Sequence, residues 1–254
     1  GLQKDKTASV VTPLYRDMPL YQLFIQDEIV FFPNRLNVTV GTKLLHNDFT
    51  GLEISPSARA AWTPGLHHTV WAAVSRAVRT PSRFDSDIII NGRKFESEKV
   101  NAYELGYRVR PVDKVSFSLA TFYNEYPNLR SIDSTNVASP AVIIANSQRA
   151  KSWGAELSFN FQATSNWRLR GGYTFFNNEI VAKHAKVQAI SPILESVDAK
   201  NTVVLQSIMD LPWKLKLDLP GRYVDALRTA GTNPQTNAYK SLDAALARPP
   251  KHFT

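Results

Sequence analysis

The 254 residues suffice for one large β domain or two smaller ones, and they hold no run of about eighteen apolar residues, which excludes a membrane-spanning helix. Thirty lysines and arginines against 22 acidic residues give a net charge of +8. These charges are dispersed, without a tract of five, which argues against a nucleic-acid partner and fits a charged lumen or anionic lipid head groups. The lack of cysteine excludes a disulfide framework and a thiolate metal site. No basic-then-apolar leader opens the sequence, so an exported form reads as mature sequence or a fragment.

Residues 1–20 show no periodicity and read as a loop entering the first strand; everything organised lies in 21–254. Strands are expected at about 21–32, where Asp27 falls on the same side as Leu23, Ile25 and Ile29, and at 36–45. A third, 52–62, contains Pro56, an objection to a regular ladder. A fourth, 69–78, precedes a polar segment from Arg79 to Lys99. Strands five and six, 101–109 and 115–123, flank the turn at Arg110–Lys114, and a long segment from Asn124 to Ala150 follows.

The clearest stretch is Lys151–Phe176. Trp153, Ala155, Leu157, Phe159 and Phe161 alternate with Gly154, Glu156, Ser158, Asn160 and Gln162. After the polar link 163–166 the alternation resumes, with Trp167, Leu169, Gly171, Tyr173 and Phe175 against Arg168, Arg170, Gly172, Thr174 and Phe176. That is a hairpin of two long strands, each with one oily and one wet face. A tilted strand crossing a bilayer needs roughly nine to eleven residues, and these have that length; a soluble sandwich is the alternative on this hairpin alone. A loop then runs to Lys200. Strand nine spans 201–211, and strand ten sets Trp213, Leu215, Leu217 and Leu219 against Lys214, Lys216 and Asp218 until Pro220–Gly221 bends or breaks it. A last strand, 239–247, follows a polar loop.

The connections carry the architecture. Short turns near 34, 65, 112, 165, 212 and 250 alternate with connections centred near 48, 88, 137, 189 and 232, most of them much longer. Tight turns at one end and large loops at the other are the layout of an outer-membrane β-barrel. Trp62, Trp71, Trp167 and Trp213 all lie near short turns, where an aromatic girdle would sit. The fold expected is all-β, an antiparallel transmembrane β-barrel; about eleven strands are found, an odd number, so the chain should not close alone.

Three stretches, WAAVSRAVRTPSRFD, ESEKVNAYELGYRVRPVDKVSFSLATFYNEYPNLRS and SWGAELSFNFQATSNWRLRGGYTFFNNE, closely resemble the C-terminal half of TonB-dependent outer-membrane receptors. QDEIVFFPNRLNVTVGTKLLHNDFTG fits as well, so the resemblance covers about residues 20–248. It implies part of a barrel of roughly 22 strands filled by an N-terminal plug, which imports iron chelates, cobalamin or similar scarce ligands with energy relayed by TonB. The plug and the TonB-contacting segment are not in this sequence, so TonB would be met through a missing N-terminal region. The implied location is the outer membrane of a Gram-negative bacterium, among lipid and lipopolysaccharide. A passive porin-like or structural barrel and a soluble β-sandwich binding module are the alternatives.

Catalytic chemistry is not expected: no GxSxG frames a serine, His67–His68 lacks companion ligands, and the loop around Asp85 and Asp87 lacks the oxygen series of a calcium site. No metal site and no cofactor follow. Alternation turns Glu156, Arg168, Arg170, Lys214 and Lys216 into the expected lumen. Arg79, Arg83 and Arg93, in a long outer loop, are candidates for capturing an anionic chelate through bidentate guanidinium contacts, or else face solvent or lipopolysaccharide phosphates.

Overall fold

The computed structural model describes residues 2–6, 13, 15–33, 35–87, 95–134, 142–183, 188–189, 198–227 and 236–248. Their strands are β1 (Leu2–Lys6), β2 (Tyr15–Phe32), β3 (Leu36–Asn47), β4 (Gly51–Gly65), β5 (His68–Arg79), β6 (Glu98–Val112), β7 (Val115–Ser134), β8 (Val142–Thr164), β9 (Trp167–Ala182), β10 (Gln188–Ala189), β11 (Asn201–Leu211), β12 (Leu215–Val224), β13 (Tyr239–Leu242) and β14 (Ala245–Ala247). One short helix, α1 (Arg83–Ser86), follows β5. All strands join one antiparallel sheet in the order β1-β2-β3-β4-β5-β6-β7-β8-β9-β11-β12-β13, with β10 on β7 and β14 beside β13 on β12. Among the described residues its two edges do not pair, so the barrel wall is open.

Residues 33–35, 66–67, 113–114 and 165–166 and a 3-10 turn at Pro212–Lys214 make the short connections at one end. At the other end only 48–50 is short, while 80–97, 135–141, 183–200 and 225–238 separate the strands.

Several strands run further than their alternation suggests. Residues 1–20, expected as loop, hold β1 and the start of β2, paired from Leu2↔Pro19 to Lys6↔Tyr15. The expected loop 124–150 is mostly strand: β7 and β8 continue from Glu125↔Lys151 to Ser134↔Val142 through register shifts after Tyr126 and Leu129. Such shifts flip the side-chain parity, so the period-two signal vanishes while the ladder goes on. Residues 239–247 form two short strands instead of one.

Pro220–Gly221 does not break its strand. Pro220 stays opposite Gln206 on β11, and on its other side the edge is interrupted between Gly221↔Leu242 and Asp218↔Ala245, with Asp243 donating its N–H to the Pro220 carbonyl at 2.9 Å. The N–H that proline lacks falls where no ladder partner waits. Pro56 behaves alike: it pairs with Thr42 on β3, and the β4–β5 ladder stops beside it at Ser57↔Ser75.

Register assigns every side chain to one of two faces. Tyr107, Leu119, Leu157 and Tyr173 lie in cross-strand line on one; Gly106, Ala120, Glu156 and Thr174 on the other. The apolar face is uncovered, with Leu157 42% exposed, Leu105 56% and Leu205 51%. A sandwich would bury such a face against a second sheet; here it meets the surroundings over the width of the wall.

Candidate functional site

The polar face brings together four of the five residues expected there. Glu156 stands opposite Thr174, Arg168 opposite Gln162, and Arg170 between Asn160 and Gln206. Lys216, opposite Asp210, shares this face through β11. Arg168 donates from Nε to Gln162 Oε1 at 2.8 Å, and Gln206 Nε2 donates to both carboxylate oxygens of Asp218, at 2.9 and 2.8 Å. Lys214 is the exception: with Trp213 it occupies the 3-10 turn at positive φ (60° and 61°), so neither sits on a strand face. A strand's alternation cannot extend through a turn in the left-handed region.

The tryptophans divide similarly. Trp62 and Trp167 lie on the apolar face near short turns, and Trp167 donates from Nε1 to Ser207 Oγ at 3.0 Å. Trp213 is 82% exposed in its turn. Trp71 lies on the opposite, polar face, its indole covering Gly106, where a Cβ would overlap the ring, and Arg59 stacks on it 4.8 Å from the centroid. Its register, opposite Gly106 and on the face of Arg59, is why this tryptophan is outside the girdle, and the bare glycine leaves room for the ring.

A second belt escaped the sequence reading. Tyr103 and Tyr123 pack 6.3 Å apart on the apolar face, Trp153 lies opposite Tyr123, and Phe175 and Tyr223 belong to the same face. Tyr103, Tyr123, Phe175 and Tyr223 each stand about nine or ten residues from their own short turn, the length of a tilted membrane strand. Beyond this belt the same face turns polar: Asn101, Glu125, Lys151 and Glu179 follow one another in register. The signal was present as aromatics spaced from the turns.

At the long-loop end the arginines meet acids. Ser82 and Asp85 form a capping box on α1, with Ser82 donating from its backbone N at 2.9 Å and its hydroxyl at 2.8 Å to Asp85 Oδ2. Asp85 is 1% exposed and pairs with Arg130 at 3.0 Å and Arg79 at 3.7 Å. Arg79, at the end of β5, also pairs with Glu98. Arg83 is buried, pairs with Asp87 at 3.1 Å and donates to the Pro13 carbonyl. Asp87 takes Arg16 at 2.6 Å, and Arg16 reaches Asp48 at 3.1 Å. Arg79 and Arg83 are therefore engaged with internal carboxylates; Arg93 lies outside the described residues. The Ser82-x-x-Asp85 spacing was readable as a cap. The distant partners Arg16, Asp48 and Arg130 left no local signal.

Further in, Phe95 and Ser97 are buried, Ser97 Oγ lies 2.9 Å from Thr50 Oγ1, and Lys99 reaches Glu53 at 3.5 Å. These contacts bridge the wall where the β4–β5 ladder has stopped. At the short-turn end His68 Nδ1 lies 2.7 Å from Tyr107 Oη. Among the described residues no group of three or more histidines and carboxylates is placed to hold a metal.

The model of the TonB dependent receptor-like β-barrel family matches residues 7–254. Among solved structures, the chain is similar to the siderophore receptor PirA from Acinetobacter baumannii (TM-score 0.73, 15% identity, 92% of this chain and 40% of that one). It is similar to the FrpB iron transporter from Neisseria meningitidis (TM-score 0.73, 15% identity, 91% and 38%). A third likeness is to the ferric enterobactin receptor PfeA from Pseudomonas aeruginosa, in its G324V form (TM-score 0.69, 15% identity, 94% and 39%). The chain thus spans about two fifths of the structures it matches. With a family match over nearly its whole length and a bifacial antiparallel wall to account for it, the chain belongs to the TonB-dependent receptors and forms part of their outer-membrane β-barrel.

Proposed function

We propose that this chain is the wall of a receptor that imports an iron chelate of the siderophore type, using energy relayed by TonB. The observation that carries the reading is the family match on a two-faced wall whose long connections gather at one end; the siderophore and iron receptors named above support the choice of cargo. The apolar face meets lipid. The polar face lines the lumen, where Glu156, Arg168, Arg170 and Lys216 hydrate the wall or pair with a plug. The work is binding and passage, without bond chemistry or a cofactor. TonB, outer-membrane lipid and lipopolysaccharide are the partners, and a cobalamin-like ligand is the alternative cargo.

Ligand enters from the long-loop end, the outer one in this architecture. There Arg79 and Arg83 brace the rim through their ion pairs, and capture falls to the longer connections beyond them. The test is uptake of labelled ferric siderophores by iron-starved cells carrying the intact receptor. Uptake should stop when TonB is removed. Uptake that persists without TonB would replace active import by a passive pore.

A further inference from the structure

The polar face carries more positive charge near the short-turn end than its ion pairs use. Register sets Ser158, Gly172, Val204 and Arg222 in one line across that face. Asn160, Arg170 and Gln206 form the next line toward the short turns. Gly172 brings no side chain to the face, and a cleft of about 630 Å³ opens there between Arg170 and Arg222, lined also by Ser158, Asn160 and Gln206. A second cleft, about 300 Å³, continues from the same Asn160 and Arg170 to Arg168, Lys114 and Arg110 at the short-turn end.

Both clefts are rich in donors and poor in free acid. Asp218, beside Gln206, accepts two bonds from its amide, and Asp113 pairs with Arg110 at 3.3 Å. Asp243 stands at the far edge of the upper cleft, beyond β12. Among the described residues Lys114, Arg168, Arg170 and Arg222 have no carboxylate partner. Arg170 and Arg222 lie on strands separated by β11 and two residues apart along them, so their Cα atoms are roughly 12 Å apart. That span favours an anion with charged oxygens on more than one side over a single side-chain carboxylate, and guanidinium suits carboxylate and catecholate oxygens.

We propose that the two clefts form a descending track for an anionic iron chelate. The chelate meets Arg170 and Arg222 partway down the wall and passes to Arg168 and Lys114 before release at the short-turn end. Each step exchanges one set of donors for the next, so the charge is never left without a partner. The track rests on the import reading above and adds to it the charge of the cargo and its path, which sets a neutral cargo aside.

The experiment uses the intact receptor in energised, iron-starved cells, with heat-dependent gel mobility checking that each variant is folded. This chain has no cysteine, so Ser158→Cys places one thiol in the upper cleft. The ratio of its labelling rates by a sulfonate-bearing and a trimethylammonium-bearing methanethiosulfonate should fall at least fivefold when Arg170→Gln and Arg222→Gln are added. Labelled ferric tricatecholate, ferric citrate and neutral ferric trihydroxamate are then offered in turn. The receptor should import an anionic chelate, and the double variant without the cysteine should lower the maximal rate at least fivefold and leave half-saturation within twofold. Arg170→Lys with Arg222→Lys should keep most of the rate, and Lys240→Gln on the outward face should change neither reading. An unchanged labelling ratio, a thiol that neither reagent reaches, an undiminished rate in the double variant or import of the neutral chelate alone would overturn the track. No uptake of any chelate, with the ratio still falling, would overturn the import reading and support the anion site.

Discussion

The β8–β9 hairpin and the described rim residues 79–87 and 95–98 belong to one wall, yet they are held by opposite means. In the hairpin each residue answers to its sequence neighbours: Leu157 faces Leu119 and Tyr173, Glu156 faces Ala120 and Thr174, and the surroundings sort the faces. In the rim segment the local sequence is polar and aperiodic, and order comes in part from Arg16, Asp48 and Arg130, each more than 30 residues from the side chain it pairs with. The first kind of order is a solvent effect repeated every second residue. The second is a few charge pairs that must all be in place.

The largest break in that contrast should come from the lipid face. Leu157→Arg in the intact receptor is expected to destabilise the barrel by roughly 2–4 kcal/mol, read from urea unfolding in micelles, because a cation is then forced into hydrocarbon. The rim should break next, and locally. Asp85→Asn removes a buried carboxylate from Arg130 and Arg79 and should loosen residues 82–87 by about 2 kcal/mol, the worth of a hydrogen bond to a charged group. Hydrogen exchange should show faster exchange there and unchanged protection in β8–β9; spread of the effect into the hairpin would mean the two regions are not separately held.

A smaller cost tests the contact between Gly106 and Trp71. Gly106→Ala pushes on the Trp71 indole and should cost about 1–2 kcal/mol, as over-packing does, with Trp71→Ala relieving it in a double-mutant cycle. Full additivity of the two changes would deny the contact. The mildest change is Glu156→Gln on the polar face, expected within about 0.5 kcal/mol of wild type in the same unfolding measurement. If it matched Leu157→Arg, the two faces would have been exchanged.

What could be read in the sequence follows the same division. Strict alternation located β6, β8 and β9 and grouped Glu156, Arg168 and Arg170 on one face, because period two is a local property. It stopped at the bulges of β7 and β8, and it carried Lys214 onto a strand that begins only at Leu215. Proximity to a turn drew Trp71 into the girdle although its parity places it with Arg59 and Gly106. Arg79 and Arg83 looked free although Asp85, Asp87 and Glu98 stand nearby, because an aperiodic segment does not show which of its charges the fold brings together. Proline was overweighted: Pro56 and Pro220 occupy places where the ladder is already interrupted, which only the neighbouring strands reveal.

The order of strands has a bearing on biogenesis. From β1 through β9 each strand pairs with the one before it in the chain, and β11 and β12 continue the series after the break for β10. Every such step closes only a turn or a single connection, so the entropy of bringing partners together is met in small instalments. The wall can grow hairpin by hairpin without any segment waiting for a distant mate. Among the described strands two depart from this: β14 joins β12 past β13, and β10 reaches back across two strands to Asp133 and Ser134 on β7. β10 must wait for β7 across a loop that spans β8 and β9, which makes it a later arrival than the hairpins in the assembly of this barrel.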